Sequence, residues 1–325
     1  MKASEACKRR TISIVGAFTP LLVPSFSSRG FPDISGIHLN MRDEIFEASL
    51  VSAYDLSYGP LAGQDIYCSD VLFIDSGGYE AKLIYDPDEV YNDDRRGRPW
   101  SLEDYRTVLD GLSPLSQLVM VSFDHADPSP LMMQVEEART LFCDYPQYAS
   151  DFLCKPEDGS LFMNVDDLVK NINEVAAYFS LLGVTEKELG DSLLERCCNL
   201  LRIRAALLAA DSETPIHVFG CMEPLSIVSY FLCGADVFDG LTWLRLAFSK
   251  GLPLYGQVDA ILREEWKFRD ADLLVARWVR NLRTLRDLNR GMTGYCDTLS
   301  LEEFSSWREH LPKVLGLVRE AGLEI

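Results

Sequence analysis

Three aspartates in this chain each close a short apolar run: Asp75 after VLFI, Asp124 after LVMVSF and Asp239 after ADVF. A parallel strand buried on both faces reads as such a run, and in barrel enzymes the residue at its carboxyl end faces the active site. Three strand-end carboxylates, far apart in sequence, point to acid/base or nucleophilic chemistry. Plainer readings stand beside these: Asp75 as the cap of the next helix, Asp239 as an ion pair with Arg245, and Asp124 as the partner of His125. A metal at that last pair is the weakest reading, because one histidine makes a poor site.

These residues need elements to hold them. Strands are expected at 71–75, 118–123, 215–219 and 235–239, with residues 11–24 as strand, turn and strand and 39–53 as a helix running into a short strand. Helices are expected from Ser101, at 131–143, from Asp166 to about 182, at 191–210, from 223 to about 233, over 258–290 and over 300–322. Ser101 with Asp104 forms a variant of the capping box. Residues 86–100 read as a long loop and 144–164 as irregular. Strands alternating with helices indicate a parallel α/β fold. Polar strand ends spread from 75 to 239 suit a closed barrel better than an open sheet with one switch point. The expectation is a (β/α)8 TIM-type barrel with insertions, one domain over 1–325, with a C-terminal helical extension at about 258–325.

Fifty acidic against 31 basic residues give a formal charge of −19, which repels polyanions at long range but leaves room for a local basic patch. Two patches qualify. Arg95-Arg96-Gly97-Arg98 sits beside Trp100, and Arg277, Arg280, Arg283, Arg286 and Arg290 recur at helical spacing. The second is either a solvated helix face or a phosphate track. Trp243, Trp266 and Trp278 read as core, and Cys197-Cys198 as buried on a helix. Nine cysteines without a CxxC pair, and four histidines, predict no zinc cluster. The odd cysteine count fits a reducing, cytoplasmic compartment. Residues 1–10 have no apolar leader core, and no run is long enough to span a membrane.

Three segments go further. FIDSGGYE at 73–80, LVMVSFDHADPSP at 118–130 and the block from His217 to Gly251 resemble, in order, the tRNA-guanine transglycosylase superfamily. Weaker echoes lie at 19–30 and 52–59, so the resemblance threads most of residues 11–251. GVTEKELG at 183–190 and DGLTWLR at 239–245 look more like the branch that modifies DNA (DpdA-like) than the queuine tRNA branch. The resemblance implies a barrel that exchanges guanine for a 7-deazaguanine derivative in nucleic acid, DNA preferred over tRNA, without a cofactor. It implies Asp239 as the nucleophile at C1′, Asp75 as general acid/base at the base N9, and Asp124 as acceptor for the N–H edge of the base. Ser76, Gly77, Tyr79 and Gly220 would line the base pocket, and Arg245 would contact phosphate or substrate.

Departures from the pattern matter as well. Only Cys296 and His310 lie where the tRNA enzymes carry their zinc-binding subdomain, so that subdomain is expected to be lacking. A glutamine-glycine motif is not evident between 150 and 190, and Phe248 stands where a further arginine is expected. Two alternatives therefore stay open: a glycosidase acting on a nucleoside, nucleotide or modified base without exchange, and a catalytically silent partner subunit. The implied partners are the nucleic acid, the 7-deazaguanine base and a protein that opens the substrate, since C1′ is poorly accessible within a base stack.

Overall fold

The computed structural model describes residues 1–45, 47–81, 98–125 and 129–325. Eight parallel strands close into a ring: β1 Leu21–Phe26, β2 Ala48–Ser52, β3 Val71–Asp75, β4 Gln117–Val121, β5 Ala149–Cys154, β6 Leu181–Thr185, β7 Ile216–Phe219 and β8 Val237–Gly240. Helices surround them, so the chain is an α/β protein of the (β/α)8 TIM-barrel type. The ring closes where β1 pairs with β8, Val23 opposite Asp239, while β1 also pairs with β2, Ser25 opposite Leu50.

Side chains alternate between the two faces of a strand, and this alternation decides what points into the barrel. Leu72 and Ile74 join the layer under the helices, whereas Val71 and Phe73 pack with Leu21, Val23, Val119, Val121 and Val237 in the interior. Asp75 is in phase with Val71 and Phe73, Ser25 with Leu21 and Val23, and Asp239 with Val237. The apolar interior thus ends, at the carboxyl side, in a polar layer. Each fully buried interior side chain of this size contributes about 1.5–3 kcal/mol.

The amino side of β8 is held by Asp236, which takes Arg10 Nη1 at 2.8 Å, the Ile216 N–H at 2.8 Å and the Arg204 guanidinium. All three side chains of this knot are buried.

Two strands of the barrel lie where the sequence predicts none, as do the two of a small antiparallel pair, Ala247–Ser249 and Leu252–Leu254. β5 falls within the stretch expected to be irregular, because Ser150 and Asp151 interrupt its apolar run. β6 falls at the end of the helix expected from Asp166 to about 182; the helices are Val165–Lys170 and Ile172–Tyr178, and LLGVT is too short to assert its own period. Residues 11–18 carry only an isolated bridge, Thr11 to Phe18, rather than a strand. The helix expected over 258–290 is divided into Gly256–Leu262 and Asp270–Thr298, and that over 300–322 into a 3-10 segment Leu301–Trp307 and Leu311–Glu320. Trp266 therefore sits in a turn between helices and is 59% exposed, unlike the buried Trp243 and Trp278. Cys197 is buried and Cys198 half-buried. Ser101 does cap its helix: its Oγ accepts from the Asp104 N–H, and Asp104 accepts from the Ser101 N–H at 2.9 Å. Most of the loop expected at 86–100, with Arg95, Arg96 and Gly97, lies outside the described residues, as do Asp127 and Pro128. Among the described residues no helix is long and apolar enough to cross a membrane.

Candidate active site

Asp239 occupies the inner face of β8 one residue before its end, and is 6% exposed. Its Oδ1 accepts the Gly220 N–H at 2.9 Å, and its Oδ2 accepts the Ser25 hydroxyl at 2.8 Å. Ser25 is fixed in turn, since its Oγ accepts the Gly240 N–H at 3.1 Å. Gly220 follows β7 with φ of +79°, a conformation that glycine adopts without the clash of a β-carbon. That turn aims its N–H at the carboxylate. Both oxygens of Asp239 are thus taken by N–H and O–H donors of β1 and the turn after β7 rather than by Arg245, the partner of the plainer reading. Arg245 Nη2 donates to the Tyr79 hydroxyl at 3.3 Å.

Asp75 closes β3, and its Oδ2 accepts the Gly77 N–H at 3.0 Å. Gly77 has φ of +87°, and a β-carbon there would lie 2.7 Å from Tyr54 Cβ. Burial drives the Asp75 carboxyl up to about 8, helped by the charges of Glu80, Asp239 and Asp124 and opposed by the Gly77 N–H. The three aspartates singled out by sequence are therefore neighbours in space. A carboxyl in this state holds a proton at neutral pH.

Asp124 follows β4. Its N–H donates to Ser76 Oγ at 3.1 Å, and its side chain packs against Gly78. Ser76 is fully buried and holds this loop rather than lining open space; its carbonyl also accepts the Trp100 indole N–H at 2.7 Å. Tyr79 lies at the rim, with the Arg29 guanidinium 4.3 Å above its ring and Arg29 Nη1 donating to its carbonyl at 2.6 Å. Asp75, Asp124, Asp239, Gly77 and Gly220 thus gather at the carboxyl ends of β3, β4, β7 and β8, with Tyr79 and Arg245 at the edge.

Several members of this site escaped the sequence reading. Glu80 accepts the hydroxyls of Ser52, at 2.7 Å, and Ser27. Burial and the charge of Asp55 push it up to about 7, against the two hydroxyl hydrogen bonds. Lys155 follows the unforeseen β5 and pairs with Glu188 at 2.7 Å. Burial works against its charge, but Asp124, Glu188 and Asp75 together hold its pKa above the ordinary value. His217 and Asp151 point into the barrel beneath Asp239, with His217 Nδ1 2.6 Å from Asp151 Oδ2. Period-two phasing along β7 and β1 would have turned His217 and Ser25 inward. Asp151 gave no signal without its strand.

The arginines of the long helix meet acidic or carbonyl partners, as on a solvated helix face. Arg280 binds Glu265 in bidentate fashion, Arg283 and Arg286 both approach Glu44 at 3.7 Å, and Arg290 meets Asp287 at 3.2 Å. Arg277 Nη2 donates to the Leu244 carbonyl. His125 lies 3.6 Å from Glu137 rather than on Asp124. Among the described residues no three His, Cys, Asp or Glu side chains are grouped so as to hold a metal ion.

Fold and site together define a (β/α)8 barrel with a carboxylate cluster at the carboxyl ends of its strands. No family model and no curated protein matches the chain.

Proposed function

We propose that this barrel is a base-exchange transglycosylase, replacing guanine by a 7-deazaguanine derivative in nucleic acid, with DNA preferred over tRNA. The observation that carries the reading is the division between two neighbouring carboxylates. Asp239 is clamped by N–H and O–H donors, as an attacking carboxylate must be, whereas Asp75 retains its proton to about pH 8. A carboxyl group that keeps its proton suits the acid, and a neighbour held by donors suits the nucleophile.

In the first half-reaction Asp239 attacks C1′ as the glycosidic bond breaks, through an oxocarbenium-like state. The electron pair of that bond goes to N9 of the departing guanine, which takes the proton of Asp75. In the second half the incoming base gives its N9 proton back to Asp75. Its N9 then attacks C1′ and displaces Asp239, restoring both carboxyl groups. Asp124 accepts from N1–H and the 2-amino group, a pair of donors that one carboxylate matches. Arg245 and Arg29, at the rim on either side of Tyr79, supply charge for a backbone phosphate.

The test is incorporation of labelled guanine into single-stranded DNA and into a tRNA transcript, with denaturing gels for the covalent adduct. Asp239→Asn is expected to give neither incorporation nor adduct. Absence of both from the wild-type protein, on either polymer, would refute base exchange. A second reading, hydrolysis of a nucleoside or nucleotide without exchange, draws support from the arginine pairings, in which the basic residues of the long helix already meet acidic partners. Release of free base without incorporation would select it.

A further inference from the structure

Beneath Asp239 the barrel interior holds a group that the exchange reaction, as written above, does not use. His217 is fully buried between two carboxylates: its Nδ1 lies 2.6 Å from Asp151 Oδ2, and its Nε2 lies 3.5 Å from Asp239 Oδ1. The charged groups facing the ring are Asp151 of β5 and Asp239 of β8. Phe219 of β7 stacks on it with centroids 3.8 Å apart, and Phe73 of β3 meets it edge-on at 5.4 Å. The space for this arrangement comes from Gly183 of β6, where a β-carbon would fall 2.6 Å from the Phe219 ring and 2.9 Å from Asp151 Oδ1.

We infer that Asp151 and His217 form a buried positioning relay, in which a doubly protonated His217 fixes Oδ1 of Asp239 and leaves Oδ2 to attack. This inference takes the role of Asp239 from the base-exchange reading, but its structural half stands without it. The Nδ1–H has its acceptor in Asp151, whereas the buried Nε2 makes no hydrogen bond and meets Asp239 Oδ1 only at ion-pair distance, so a charged ring would have a carboxylate on each side. Burial disfavours that cation, yet Asp151 and then Asp239 outweigh it and raise the imidazole to about 9. Burial likewise raises Asp151, and the imidazole pulls it back.

The consequence for the nucleophile is asymmetric. Oδ1 of Asp239 accepts the Gly220 N–H and also has the buried His217 Nε2 3.5 Å away, an ionic contact without a hydrogen bond, while Oδ2 accepts only the Ser25 hydroxyl. The less engaged oxygen keeps a lone pair for C1′. When Oδ2 forms the ester, the negative charge of Asp239 disappears, and the imidazolium keeps its partner in Asp151. His217 never touches the substrate and carries no proton in the reaction; it is a positioning residue.

The experiment uses the full chain, with His217→Gln and Asp151→Asn beside the wild type. Nitrogen-detected NMR of the histidine rings, with His217 assigned by its loss in His217→Gln, reads the state of the imidazole directly. Both ring nitrogens of His217 are expected to be protonated at pH 7.5 in the wild type. In Asp151→Asn the ring is expected to titrate more than about one pH unit lower. A neutral His217 at pH 7.5, or a titration unmoved by Asp151→Asn, overturns the relay. With labelled guanine and single-stranded DNA or a tRNA transcript, each variant is expected to lose about 10²-fold in the rate of adduct formation, with the half-saturating guanine concentration little changed. Variants that keep the wild-type rate also overturn it. A protonated His217 in a wild-type protein that exchanges no guanine upholds the relay and removes the base-exchange reading instead.

Discussion

A β-carbon placed on Gly78 would lie 2.8 Å from Oδ2 of Asp124 and 2.6 Å from its Cβ. The glycine after the Asp75 turn therefore sets the position of a carboxylate on the neighbouring strand's loop. Two segments 46 positions apart in sequence are registered against each other at this contact.

Gly78→Ala should consequently displace Asp124 while leaving Asp75 and Asp239 in place. Losing a hydrogen-bond pair to a charged acceptor costs about 1.5–3 kcal/mol. The half-saturating concentration of guanine in the exchange assay should rise by about 10-fold or more, with a maximal rate within a few-fold of wild type. Equal losses in both constants would mean that Asp124 does not read the base.

The proton on Asp75 predicts a pH profile. Its folded-state value of about 8 lies above that of an unfolded aspartate, so the free protein carries the proton needed for base departure below that pH and loses it above. Adduct formation should fall as pH rises through about 8. Glu80→Gln removes a neighbouring charge that helps hold the proton, so the falling limb should move to lower pH. The same ionisation makes stability fall between about pH 4 and pH 8, since over that window the folded state binds the extra proton.

Asp236 tests the amino end of the barrel. Asp236→Ala leaves the guanidinium groups of Arg10 and Arg204 buried without their shared carboxylate. Breaking a buried pair in this way costs about 3–5 kcal/mol. Urea denaturation should show a midpoint lowered accordingly, and a variant as stable as wild type would show that other acceptors of the two arginines suffice.

Salt dependence separates the two arginine groups. Arg245→Ala should reduce the slope of log affinity against log salt for single-stranded DNA by about one. Arg283→Ala and Arg290→Ala should leave that slope unchanged, because both lie on the long helix Asp270–Thr298 rather than at the carboxyl ends of the strands, Arg283 beside Glu44 ahead of β2. A slope lowered by the helix variants would restore the phosphate track.

What could be read from the chain alone was local. Val71 to Asp75 announces a buried strand by an unbroken apolar run and Ala235 to Asp239 by one interrupted at Asp236, and an aspartate at the end of each marks the face on which chemistry would lie. The strand-helix alternation around them was enough for a closed barrel. β5 and β6 were not readable, because Asp151 breaks one run and Gly183 the other, and both residues exist for a contact made inside the barrel. Only closure of the ring brings β5, β7 and β8 close enough for Asp151, His217 and Asp239 to line up. Glu80, five residues after Asp75, is held in the site by the hydroxyls of Ser52 at the end of β2 and Ser27 just after β1. Sequence patterns report what each strand buries, whereas the charge a carboxyl group carries depends on which other strands end beside it, and that is a property of the assembled barrel.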